Sequence, residues 1–224
     1  MADQATITND TNELDLFSQI RTAHRLLAAY YQRLLPTIDE IANSLELDFY
    51  GWHPSEHGGP CRFSSNIMDR WQWDLLPANC TRYVFFNAEK KNEIRVGKYM
   101  IEFHVISDSG ILTENWKSPN IQPDALDLSV SVERAQSVLR VHLYAPYKNR
   151  DAYWYDGLFD QCEDPVHTVQ PEANKVADNV HSFISGFEMP LAELIADDAV
   201  VRIVERIKQF RDNLLEHVSK EDNP

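Results

Sequence analysis

The apolar positions fall into two regimes along the chain, helical at the ends and alternating in the middle. Leu16, Ile20, Ala23, Leu27, Tyr30 and Leu34 recur at spacings of four and three, which sets them on one stripe of an amphipathic helix. Asn12 followed by Asp15 supplies the start signal, and Pro36 is expected to end or kink this helix before a short second one from Thr37. At the other end Val200, Val204, Ile207, Phe210, Leu214 and Val218 share a face, with Asp197 as the expected cap. The heptad-like spacing of the first helix is too short for a zipper before the face broadens, so core packing is expected.

Between the helices the period drops to two. Leu45–Tyr50, Thr81–Phe86, Tyr99–Ile106, Leu126–Val132, Val138–Tyr144 and Ser182–Met189 read as strands. The short connection between the fourth and fifth of these predicts an antiparallel hairpin. Helix, strands, helix implies an α+β domain, with an antiparallel sheet of five or six strands covered on one face by the two long helices. Clean alternation argues against a parallel sheet. The expected organisation is a flexible lead-in at 1–11 and a single domain over 12–224. Within it, 148–180 shows neither period and reads as a long irregular segment, the kind of stretch that carries function or moves.

Charge sharpens that division. The 224 residues carry a formal net charge of −14, which opposes direct binding to nucleic acid or to an anionic membrane surface. Residues 151–198 hold eleven acids against one base, Lys175, and so carry −10 of that charge, leaving −4 for the remainder. The same segment contains Tyr153-Trp154-Tyr155 and Phe159. Large aromatic rings make rigid contact anchors, and carboxylates around them steer a basic partner. Tyr153, Trp154, Tyr155, Asp156, Asp160, Glu163 and Asp164 are therefore the expected interface of an acidic module that occupies a basic surface of a partner protein, in an inhibitor or immunity-type role. Replacing Trp154 and Tyr155 is expected on this reading to leave folding intact. The first helix is the expected seam if the chain forms a homodimer.

Two further constellations carry chemistry. Strand alternation sets Glu102 and His104 opposite Ile101, Phe103 and Val105, and sets Arg140, His142 and Tyr144 opposite Leu139, Val141 and Leu143. If those strands are neighbours, Glu102, His104, Arg140 and His142, joined by Ser129 and Ser131, form an acid–base set suited to a hydrolase or nuclease. The loop holding His53, His57 and Cys61 has nitrogen and sulfur donors for zinc, with Cys162 and His167 as distant additions, but it lacks the close cysteine pair of structural zinc sites. Asp156, Asp160, Glu163 and Asp164 supply oxygen donors without the spacing of a calcium loop. There is no P-loop, dinucleotide fingerprint or nucleophile elbow, so no cofactor is expected. Three cysteines are too few for a disulfide framework. The polar start and the absence of an apolar run of spanning length lead to the expectation of a cytoplasmic protein.

Overall fold

The computed structural model describes residues 4–56, 62, 64, 66–116, 118, 121–176 and 179–222, with only the backbone course given for 4–14. The chain forms two compact units, Met1–Glu40 and Ile41–Pro224. One helix, α1 (Gln4–Ser44), runs through both ranges and contains Pro36. It begins upstream of Asn12, and the proline does not end it. A mid-helix proline removes one backbone bond, yet Ile41 and Ala42, beyond it, are buried, and that burial keeps the chain helical. In the first unit Leu16, Phe17, Ile20, Leu26, Leu27 and Leu35 are exposed.

The helix closes on a Schellman turn, in which the Leu47 amide donates to the Ala42 carbonyl and the Glu46 amide to that of Asn43. Glu46 takes the left-handed conformation (φ 56°) that this turn demands. The turn uses residues 45–47, so the strand expected from Leu45 starts later, as β1 (Asp48–Pro54).

The second unit is built on six antiparallel strands, so the fold is α+β as the sequence implies. They are β1, β2 (Cys80–Phe86), β3 (Met100–Ile106), β4 (Val138–Pro146), β5 (Asn174–Lys175) and β6 (Ser182–Pro190), in the order β1-β2-β3-β4-β6-β5. A short helix, α2 (Trp154–Gly157), sits in the irregular segment, and α3 (Ala199–Asp222) is the last element.

The stretch Leu126–Val132 is not a strand, and the expected hairpin is absent because β3 and β6 occupy both edges of β4. Its residues bond to turns and to a neighbouring loop instead. Asp124 accepts from the Leu126 amide, Ser129 bonds the Asn115 carbonyl, and the Arg134 and Ala135 amides donate to the Ser131 carbonyl. Leu126 is 97% exposed, as a core-facing strand residue would not be. Ser129 and Ser131 therefore do not join the sheet.

Cross-strand register divides the sheet into two faces. One carries Phe103, Val105, Leu139, Val141 and Phe187, all buried, and receives α3, whose Phe210 ring lies 4.9 Å from that of Phe187. The expected α3 face holds for Val204, Ile207, Phe210, Leu214 and Val218, joined by Ile203. The second face is apolar only at its two ends. Val84, Phe86, Met100, Tyr144 and Ile184 pack with Ile94, Trp154, Leu158 and Phe159 at one end. Cys80, Ile106 and Val138 pack with Ile111 and Leu112 at the other. Between them runs a polar band.

These placements give a paired test. Trp154 is fully buried and its indole N–H donates to the Glu93 carbonyl at 2.9 Å. Trp154→Ala should cost about 3–5 kcal/mol in urea unfolding, whereas Leu126→Ser should change stability by less than about 0.5 kcal/mol.

Candidate functional site

The polar band arises from two adjacent rows of paired residues. One row reads Gly51, Val84, Glu102, His142 and Gly186 across β1, β2, β3, β4 and β6, and the next reads His53, Arg82, His104, Arg140 and Glu188. The strands that carry the expected acid–base set are thus neighbours, with Glu102 directly opposite His142 and His104 opposite Arg140. The setting differs from a solvated sheet face: Glu102, His104 and His142 are each at most 1% exposed.

Glu102 is the centre of the band. One carboxylate oxygen accepts from Arg82 Nη1 at 2.7 Å, and the other accepts from the Tyr144 hydroxyl at 2.8 Å and from His142 Nδ1 at 3.2 Å. Burial alone would raise its pKa, but His142, Arg82 and His104 outweigh burial and hold the carboxyl at about 2. An ionised carboxylate with three donors is the condition under which a charge survives inside a protein. Burial, then Glu102, pushes the Tyr144 hydroxyl well above its ordinary value, so it stays a donor.

Arg82 links the band to the irregular segment. Its guanidinium bonds Glu102 and also both oxygens of Asp164, at 2.8 and 2.9 Å. Burial opposes the Asp164 charge, and the hydrogen bonds from Arg82 override it, holding that carboxyl at about 2. Glu102, His142 and Asp164 also lie close enough together to suggest a cation site. Arg82 already supplies the positive charge between the two carboxylates, in bidentate geometry on one of them. These residues therefore do not fit a metal.

His104 is held differently. Burial, and next the Arg82 charge, lower its pKa to about 3, so the ring is neutral. Its Nε2 lies 2.9 Å from Ser55 Oγ and 3.5 Å from Cys80 Sγ. A serine beside a histidine is a nucleophile–base contact in outline. Here the second ring nitrogen, Nδ1, is buried without a hydrogen-bond partner among the described residues, so none of their acids orients the ring. Burial pushes the Cys80 thiol up to about 11, which keeps it protonated. Arg140 is paired with Glu188 at 2.8 Å.

The expected zinc loop cannot be assembled from the described residues, since His57 and Cys61 lie outside them. His53 Nδ1 donates to the Pro54 carbonyl at 3.1 Å, and the ring packs against Tyr155 and Phe159. Cys162 is half-buried with its thiol pushed to about 12 by burial, and His167 meets His142 instead, at 2.8 Å between their Nε2 atoms.

The expected interface divides in the same way. Tyr153 is 57% exposed, and Asp156, Asp160 and Glu163 are exposed. Trp154 is withdrawn from that set as a correction: its ring is core, packed on Phe86, so its removal would not leave folding intact. Tyr155 is half-buried, its ring 5.5 Å from Phe159. Asp164 is taken by Arg82.

Sequence reasoning missed Arg82, although a lone arginine within Cys80–Phe86, otherwise aromatic and β-branched in character, signals a buried charge in need of a partner.

The titrations have one sign. A histidine held neutral by burial contributes stability that is complete above its ordinary 6.5 and is lost as pH falls toward about 3. The Glu102 contribution is complete above 4.5, that of Asp164 above 3.8, and both are lost toward about 2. Urea unfolding should therefore show stability falling from pH 6.5 downward and more steeply below 4.5. His104→Asn should flatten the upper part of that slope. Stability that stays constant between about pH 7 and about pH 5 would contradict the assignment.

Sequence comparison places this geometry in a family. No solved structure matches the chain. The chain is 24% identical over 206 residues, 88% of its own length and 93% of the other's, to an uncharacterized protein of Pasteurella multocida strain Pm70 designated PM0109. The model of the family described as PM0109 matches residues 9–215, nearly the whole length, and the chain belongs to that family.

Proposed function

We propose that the protein is a cytoplasmic binding module whose acidic segment occupies a basic surface of a partner protein, in an inhibitor or immunity-type role. The observation that supports this is the contrast between the two sides of the segment. Its inner side is fixed to the sheet by Trp154, Leu158 and Phe159 and by the Arg82–Asp164 pair. Its outer side carries Asp156, Asp160 and Glu163, exposed and with no cation paired to them among the described residues. An ordered acidic surface loses little conformational freedom on binding. Uncompensated carboxylates also speed the encounter with a basic partner. Tyr153, exposed beside them, supplies a ring for contact.

A cytoplasmic setting is in keeping with two further features. Cys80 and Cys162 are free thiols, as suits a reducing compartment. No helix among the described residues is long and apolar enough to cross a membrane.

The hydrolase alternative built on Glu102, His104, Arg140 and His142 has weaker support. Those groups meet, but each is bound to a protein neighbour: Glu102 to Arg82 and Tyr144, Arg140 to Glu188, and His104 to Ser55. A substrate would have to displace these contacts inside the fold.

Charge reversal separates the two. Asp156→Lys, Asp160→Lys and Glu163→Lys combined should leave the melting transition unchanged. The combination should weaken a stoichiometric complex with a basic protein, isolated from the source organism, on the order of 100-fold. The wild-type complex should be released by about 0.5 M salt, because exposed charge pairs are screened there. A complex that tolerates both the triple variant and the salt contradicts the proposal. So does turnover of an ester or phosphodiester that is lost in His142→Gln.

A further inference from the structure

The contact between His142 and His167 has an unusual shape. The two Nε2 atoms are 2.8 Å apart, the ring centroids are 5.0 Å apart, and the ring planes differ by only 17°. A centroid separation of 5.0 Å is what 2.8 Å plus two ring radii gives. The imidazoles therefore meet edge to edge, nearly coplanar and in line, rather than face to face. A metal shared by both nitrogens, with bonds of about 2.0–2.1 Å, needs lone pairs that converge at an angle, or an in-line separation of about 4 Å. Neither is present. An in-line pair at 2.8 Å is held by one proton between two nitrogens.

The neighbours fix which nitrogen owns it. Glu102 is ionised and accepts from His142 Nδ1, so that nitrogen carries a proton. His142 Nε2 then accepts, and His167 Nε2 donates. His167 Nδ1 faces Glu188 Oε2 at 3.8 Å. The remaining charged or titratable groups around the pair are Arg82 on β2, His104 on β3, Arg140 and Tyr144 on β4, and Asp164 on the segment. A first added proton goes to His167 Nδ1, toward Glu188, and leaves the in-line bond whole. A second has only His142 Nε2 to occupy, which sets two N–H groups head to head. Burial first, with His142 and Arg140 beside the ring, lowers the His167 pKa, so the first of these protonations lies below the ordinary histidine range.

The pair holds a specific piece of chain. His167 forms a bridge to Gly186, the Thr168 amide donates to the Gly186 carbonyl at 3.0 Å, and Pro165 is buried on the same glycine. A Cβ at position 186 would lie 2.7 Å from Pro165 Cγ and 3.2 Å from His142 Cδ2, so glycine is what permits the close approach.

We propose that His142 and His167 form a proton-operated clasp, which holds residues 165–168 on the sheet until a second proton enters the pair and releases them from Gly186. Release uncovers His142 and the Gly186 backbone, while the Arg82–Asp164 pair stays closed. The clasp is independent of the partner-binding proposal, and its failure would leave that proposal untouched.

Hydrogen exchange on the full chain tests it. Between about pH 7 and about pH 5, after correction for intrinsic rates, the Thr168 amide, which the Gly186 carbonyl holds, should lose at least about tenfold in protection while those of Val141 and Phe187 do not. His142→Gln has no ring nitrogen to take the second proton and should abolish that difference. Gly186→Ala should expose the same amide at about pH 7, because a Cβ there meets Pro165 and His142. Equal protection of the Thr168 amide at both pH values overturns the clasp, as does an unchanged pH response in His142→Gln. Loss of protection throughout the sheet at about pH 5 also overturns it, because the event would then be global unfolding.

Discussion

An ionised carboxylate in the middle of a sheet face sets the terms for everything built over it. Glu102 is 0% exposed and still charged. Moving such a group out of water is costly unless every oxygen is matched by a donor. Arg82, Tyr144 and His142 meet that demand, and each then needs a neighbour of its own. Arg82 takes Asp164, and His142 takes His167. Both of those partners come from the irregular segment. The segment is thus held over the sheet by the charge it helps to neutralise.

Apolar packing at the ends of the same face makes the arrangement rigid. Trp154, Leu158 and Phe159 insert beside Phe86 and Tyr144, while Ile111 and Leu112 close the other end against Cys80 and Val138. The centre of the polar band, Glu102, His104 and His142, is buried between them. That burial keeps His104 neutral, and burial of Cys80 keeps its thiol protonated. The result is a segment with two chemistries. Its aromatic and paired residues face inward, and Asp156, Asp160 and Glu163 face solvent.

Much of the architecture was legible in the sequence because period reports burial directly. The α3 stripe and the strands at 80–86, 100–106, 138–146 and 182–190 follow from it. Where the reading failed, a local interaction imitated or overrode the period. Leu126–Val132 alternates like a strand, but its residues bond to turns and to a neighbouring loop, and its apolar ends are exposed. Pro36 is a helix breaker in isolation and is outweighed by burial beyond it. The site was half legible: alternation placed Glu102, His104, Arg140 and His142 on one face. It could not tell that the face was covered, because coverage depends on Arg82 meeting Asp164 across 82 residues of chain. The acidic segment misled for the same reason. Its composition resembles a free surface, while Trp154 and Asp164 belong to the fold.

The central claim is that Arg82 couples the buried charge of Glu102 to the irregular segment through Asp164. A double-mutant cycle in urea unfolding with Arg82→Met, Asp164→Asn and the combined variant measures that coupling directly. An interaction free energy of about 1–3 kcal/mol is the result the account predicts, because each single change strands the other partner beside a buried carboxylate. Single effects that simply add, within about 0.3–0.5 kcal/mol, would show that the segment is held by its aromatic residues alone.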